Sequence, residues 1–333
     1  MNIESRFTTS ERHTSHFLSA GPESGTPIIF VHGWPELSIS WRHQLPYFAD
    51  KGYRAIAPDM RGYGASAVYK NHADYAQRAV VADMLELADA LAIERAVWVG
   101  HDWGCATVWQ IARHHPDRCL AVANLCVPYY TIEAGWPGLL PYIDRELYPE
   151  DEYPAGQWEY QRFYEENFAR ATATFDAHPE RMAALLFRKG NPQAAGQISG
   201  TALTRKQGGW FSGGEVPDMP RDADVLSEAD LRHYAEALAR NSFFGPDSYY
   251  MNHTANAAYT REARSHELEM PVLFLHARYD ATCETIKSRA AEPMRRHCAD
   301  LQEQVVDSGH WMAQERPDAV NAYLAGWLRE RVD

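Results

Sequence analysis

Short, unbroken apolar runs alternate along the first part of the chain with longer stretches whose apolar residues recur every three or four positions. Pro27–Val31, Tyr53–Pro58, Ala96–Val99 and Cys119–Cys126 are runs of the first kind, and Ala79–Ala92 and Ala106–His114 are of the second. Continuous hydrophobicity predicts strands buried on both faces, and the intervening periodicity predicts helices. Together they make βαβ units, and so a mostly parallel sheet with helices on both faces. Arg12–Leu18 is expected to add antiparallel edge strands.

After Pro128 the pattern changes. From about Tyr129 to Arg264 the chain is rich in aromatic and charged residues and lacks strand-like apolar runs. Helical spacing appears at Tyr160–Ala171, Pro179–Arg188 and Glu228–Arg240, and the glycine-rich stretch 208–214 reads as a loop. Strand–helix alternation resumes with Pro271–Leu275, Leu301–Val306 and a helix over Asp318–Arg331. The expected organisation is a core of residues 1–129 and 265–333, interrupted by a helical lid over 130–264. An insertion of that kind sits over the carboxyl ends of the strands, where open α/β sheets bind ligands.

Composition narrows the partners. With 333 residues, 45% of them hydrophobic, the chain can bury a large core. A formal net charge of −13 argues against nucleic acid and anionic membranes, which repel an acidic surface. Five cysteines, without a CxxC pair, argue against a disulfide framework and for a reducing compartment. The N-terminus is polar and the longest apolar stretch, Leu120–Val127, is too short to span a bilayer. A soluble, cytoplasmic protein is expected, with no metal or cofactor, acting as a monomer or homodimer.

The chemistry concentrates in three places. Gly100-His101-Asp102-Trp103-Gly104 follows a strand and opens a helix, which is the G-x-S-x-G nucleophile elbow with aspartate at its centre. A carboxylate is ionised at neutral pH and can attack a saturated carbon without a base. It leaves an alkyl ester, whose carbonyl a second step can hydrolyse, whereas serine would leave an ether. The substrate class is therefore an sp³ carbon bearing a leaving group. His32-Gly33-Trp34-Pro35 follows an earlier strand, so the Trp34 and Trp103 amides are assigned to the oxyanion hole. X–Pro bonds are mostly trans, and the sequence allows either isomer at Trp34–Pro35. Asp280 and His310 each follow a later strand, in the fold's order of nucleophile, acid and histidine. Glu284 and Asp307 are the weaker acid candidates, and His101, His115 and His276 are read as structural or solvated.

Four segments carry a family resemblance: His32-Gly33-Trp34-Pro35-Glu36, Arg61-Gly62-Tyr63-Gly64, the elbow, and Ser308-Gly309-His310-Trp311. Together they resemble the soluble epoxide hydrolases of the α/β-hydrolase superfamily, from about Ser15 to Leu328. The resemblance implies a small-molecule epoxide substrate, a covalent aspartyl ester, and two lid tyrosines that polarise the epoxide oxygen. Trp158-Glu159-Tyr160-Gln161 and Gly245–Asn252 are similar to the family's two tyrosine segments, which points to Tyr160 and Tyr250, with Tyr164 and Tyr249 as alternatives. Two departures stand out. Cys105 replaces the usual Gly or Ala and reads as a small buried residue, and Asp247-Ser248-Tyr249 replaces Leu-Asn-Trp. Haloalkane dehalogenases share the aspartate nucleophile, but they usually carry Asn at the Trp34 position. Fluoroacetate dehalogenases usually carry Arg at Trp103. A non-catalytic receptor on the same fold is the remaining alternative.

Overall fold

The computed structural model describes residues 2–332. Among them, eight strands form one sheet in the order β1-β2-β4-β3-β5-β6-β7-β8. The strands are β1 (Glu4–Thr9), β2 (Thr14–Ala20), β3 (Pro27–Val31), β4 (Arg54–Pro58), β5 (Ala96–His101), β6 (Cys119–Leu125), β7 (Leu268–Ala277) and β8 (Cys298–Val306). Strands β3 to β8 run parallel, while β1 and β2 form an antiparallel edge.

Central β5 is buried at every position, because helices cover both faces and every side chain must pack. Its flanking helices include Gln77–Ala90 and Trp103–His114, and Pro317–Arg331 closes the chain's last stretch. The antiparallel edge extends beyond the expected Arg12–Leu18. β1 lies wholly outside that run and its side chains are mostly exposed, so it carries little hydrophobic signal.

Between β6 and β7 the described residues form helices and loops without a strand. The main helices are Glu159–Asp176, Pro179–Leu186, Glu228–Asn241 and His253–Glu262. Local sequence sets their starts: proline occupies the first position at Pro179, and Ser227 and Asp230 exchange side-chain and backbone hydrogen bonds in a capping box. The glycine-rich stretch makes a short 3₁₀ turn, Trp210–Gly213, in which Phe211 and Ser212 hold positive φ. None of the helices is long and apolar enough to cross a membrane, among the described residues.

Candidate active site

Asp102 sits between the end of β5 and the helix Trp103–His114 with φ 50° and ψ −121°. A side-chain-bearing residue adopts such a conformation at a cost of order 1–3 kcal/mol, and it persists because the surroundings allow nothing else. The loop after β3 presses against it: a Cβ on Gly33 would lie 2.4 Å from the Asp102 Cβ. A Cβ on Gly104 would meet the Val31 carbonyl at 2.0 Å. Glycine at these two positions is thus what lets strand, loop and helix converge. The Trp34 N–H donates to Asp102 Oδ1 at 2.7 Å, and the Trp34–Pro35 bond is cis. The Trp103 amide belongs to the first helical turn, whose N–H groups have no acceptor within the helix.

His310, in the loop after β8, donates from Nδ1 to Asp280 Oδ2 at 2.6 Å. Its Nε2 lies 3.7 Å from Asp102 Oδ2. Asp280 is oriented in turn by the Thr282 and Cys283 amides, which donate to Oδ1 at 3.0 and 2.9 Å. The other candidates are occupied elsewhere. Glu284 accepts from the amides of Ile286, Lys287 and Ser288, and Asp307 pairs with Arg278 at the surface. His276 bridges Thr285 and Glu303, and His115 ends the elbow helix.

The tyrosines arrive from the helical insertion. Tyr160 and Tyr250 meet edge-on with ring centroids 5.4 Å apart, and Gln161 donates to the Tyr160 hydroxyl at 3.0 Å. Tyr250 also packs edge-on to Trp103 at 5.3 Å and stacks on Tyr164 at 4.9 Å. Tyr249 turns away and donates to the Arg61 carbonyl at 3.1 Å. The Tyr164 hydroxyl faces Asp247 and Trp210. Beside Asp102 lies a narrow cavity of about 20 Å³, with Tyr160 in its wall.

The α/β hydrolase fold family matches residues 26–317. Epoxide hydrolase A of Mycobacterium tuberculosis is 32% identical, over 93% of this chain and 92% of that protein. The chain belongs to the epoxide hydrolases of the α/β-hydrolase fold. Bifunctional epoxide hydrolase 2 of Sus scrofa is 28% identical over 94% of the chain, which spans 53% of that longer protein. The crystal structure of epoxide hydrolase A from Mycobacterium thermoresistibile superposes with a TM-score of 0.80, at 29% identity and 98% coverage of both chains.

Within this candidate site two residues given no catalytic role from sequence form a buried pair. Glu36 Oε2 accepts from His101 Nδ1 at 2.6 Å and from the Gly33 amide at 2.9 Å. The other His101 nitrogen donates to the His310 carbonyl at 2.8 Å. Burial opposes both charges, yet each partner outweighs it: His101 is lifted to about 10 and Glu36 held down to about 2. The charged pair thereby ties together the loop after β3, the elbow and the loop after β8.

His310 follows the same logic. Burial pulls its pKa down, but Asp280 and the contact with Asp102 overcome that and hold it well above its ordinary value. Burial raises the Tyr160 and Tyr250 hydroxyls, with the nearby Asp102 adding to the effect, so both are neutral acids at pH 7. Cys105 is buried in the elbow helix, its thiol raised far above the usual range by burial and donating to the Leu125 carbonyl. Two groups, His101–Cys126–His310 and Asp280–Cys283–His310, bring metal-capable atoms together. Their histidine and carboxylate atoms are engaged in the hydrogen bonds just described.

Proposed function

We infer that the chain hydrolyses epoxides to vicinal diols through an ester on Asp102, beneath a lid formed by residues 130–264. The observation that carries this reading is the inequivalence of the two Asp102 oxygens. Oδ1 accepts the Trp34 amide, where an oxyanion must later be held, while Oδ2 faces His310.

Attack by Oδ2 on a ring carbon breaks the C–O bond, and the departing oxygen takes a proton from Tyr160 or Tyr250. A tyrosine suits this step because the developing alkoxide is far more basic than a phenolate. Esterification removes the charge on Asp102 and with it one of the interactions that raise His310. The imidazole then gives up its proton, which balances the one the tyrosine has lost, and becomes the base for water. Water adds to the Asp102 carbonyl carbon, Oδ1 carries the oxyanion between the Trp34 and Trp103 amides, and collapse releases the diol. The glycol oxygen on the attacked carbon is the former Oδ2. A halide would need N–H donors and no proton, so the tyrosine pair favours an epoxide over a haloalkane. Five buried cysteines without a disulfide accord with a cytoplasmic setting.

The test is a single turnover with enzyme in excess in oxygen-18 water. The first diol should carry ordinary oxygen, the label should appear on Asp102, and later turnovers should give labelled diol. Fully labelled diol from the first turnover, with an unlabelled protein, would mean direct attack by water and would overturn the covalent route.

A further inference from the structure

The surroundings of Asp102 are lopsided. Strand β5, which ends in the elbow, lies between β3 and β6. The cavity lies on the β6 side, walled by Val127, Pro128 and Ile132 after β6, by Cys283 and Thr285 after β7, and by Trp158. The space is tight, about 20 Å³ against the roughly 300–1,000 Å³ that ligand pockets span.

The β3 side is filled. The Trp34 indole is buried and packs on Phe175 at 5.7 Å, on Phe243 at 6.4 Å and edge-on to Tyr250 at 6.1 Å. Phe175 and Phe243 meet at 5.2 Å, and Trp210 closes on Phe175 at 5.6 Å. The indole is also anchored. Its Nε1–H donates to Asp247 Oδ1 at 2.9 Å, and Asp247 Oδ2 accepts from the Thr172 hydroxyl at 2.9 Å. Asp247 has no exposed surface. Moving the indole would therefore leave a buried N–H and the Oδ1 of a buried carboxyl unpaired, which a packed aromatic cluster does not tolerate.

The tyrosine pair straddles these two halves: Tyr160 lines the cavity and Tyr250 touches Trp34. An epoxide oxygen held between them places one ring carbon toward the cavity and the other toward the indole. We propose that the Asp247-anchored indole of Trp34 is a plug that restricts the site to terminal epoxides carrying a single apolar substituent. A substituent on the second ring carbon runs into Trp34 and the phenylalanines behind it. The inference rests on the epoxide-opening reading of the site and adds its substrate class.

The experiment compares kcat/KM for styrene oxide with that for trans-stilbene oxide, which adds a phenyl on the second ring carbon. The wild type should favour styrene oxide by about 100-fold or more. Trp34→Ala, which keeps the backbone amide, should narrow that preference at least tenfold, whatever happens to the absolute rate. Asp247→Leu should narrow it as well, and Asp247→Asn, which keeps an acceptor for the indole, should not. Where a single variant fails to fold, Trp34→Phe/Asp247→Leu removes both polar partners at once and exchanges them for apolar groups, a change cores accept. It too should narrow the preference. Equal turnover of the two epoxides by the wild type, or an unchanged preference in Trp34→Ala or in the double variant, overturns the plug while leaving epoxide hydrolysis intact. Failure of the wild type to turn over either epoxide removes the parent reading, and the inference falls with it.

Discussion

Asp247 offers a quantitative test of how the carboxyl behind Trp34 is held. Burial is the largest influence on it and pushes its pKa from an ordinary 3.8 up to about 8, against the hydrogen bonds from Trp34 and Thr172. In the unfolded chain the group ionises near 4; in the folded protein it stays protonated to about pH 8. A folded-state pKa raised above the unfolded one gives stability that is full below pH 4 and lost as pH rises toward 8. Each pH unit in that window removes about 1.4 kcal/mol, or roughly 6 kcal/mol across it. Asp247→Asn keeps the shape and the acceptor for the indole but does not titrate. Urea unfolding of both proteins at pH 5, 6, 7 and 8 isolates the term, since all other groups titrate alike in the pair. The variant should gain about 1.4 kcal/mol on the wild type per pH unit, about 4 kcal/mol between pH 5 and 8. Parallel stability curves would refute the argument, because they would mean the carboxyl is already ionised in the folded protein at pH 5.

Two further outcomes are expected at the reacting groups. His310→Gln should leave ring opening largely intact but slow ester hydrolysis by about 10²–10⁴-fold. The Asp102 peptide should then gain the mass of the substrate, and an unmodified peptide in a folded variant removes His310 from its role as base. Tyr250→Phe and Tyr160→Phe should each slow ring opening by about 10²-fold in single-turnover kinetics while sparing ester hydrolysis. Wild-type opening rates in both would remove the tyrosines from the mechanism.

How much of this was readable beforehand follows from the range of each interaction. The strands β3 to β7 and the elbow are written in contiguous residues: apolar runs that must be buried, and glycines flanking one aspartate. β1 was invisible because a strand with exposed faces carries no hydrophobic period. The Glu36–His101 pair was missed although both residues lie in recognised segments. Their partnership spans 65 positions, and His101 is one of fifteen histidines in the chain. The signal was available, since an acid five residues past a strand and a histidine beside the elbow aspartate both end at neighbouring strand tips. Asp247 was visible only as a departure from the usual leucine. What it departs for is the Trp34 indole, 213 residues away, and no local pattern encodes that contact.

The same view explains why the aspartate at the elbow comes with this scaffold around it. A serine nucleophile presents one oxygen, and the oxyanion belongs to the substrate's carbonyl. In the route proposed here the carbonyl belongs to the enzyme, so a single side chain must offer both the attacking oxygen and the one that later carries charge. If the ester could rotate about the side chain, its alkoxy oxygen would meet the oxyanion amides in place of the carbonyl oxygen. The fold prevents this by approaching Asp102 from opposite directions. The loop after β3 brings an amide to Oδ1 across the gap that Gly33 leaves open, and the loop after β8 brings His310 toward Oδ2. Glu36 and His101 brace the two loops against each other, one bonded to the Gly33 amide and the other to the His310 carbonyl. A buried charge pair thus holds the two loops in addition to the reacting groups themselves, so in the proposed route their placement need not be lost when those groups change charge.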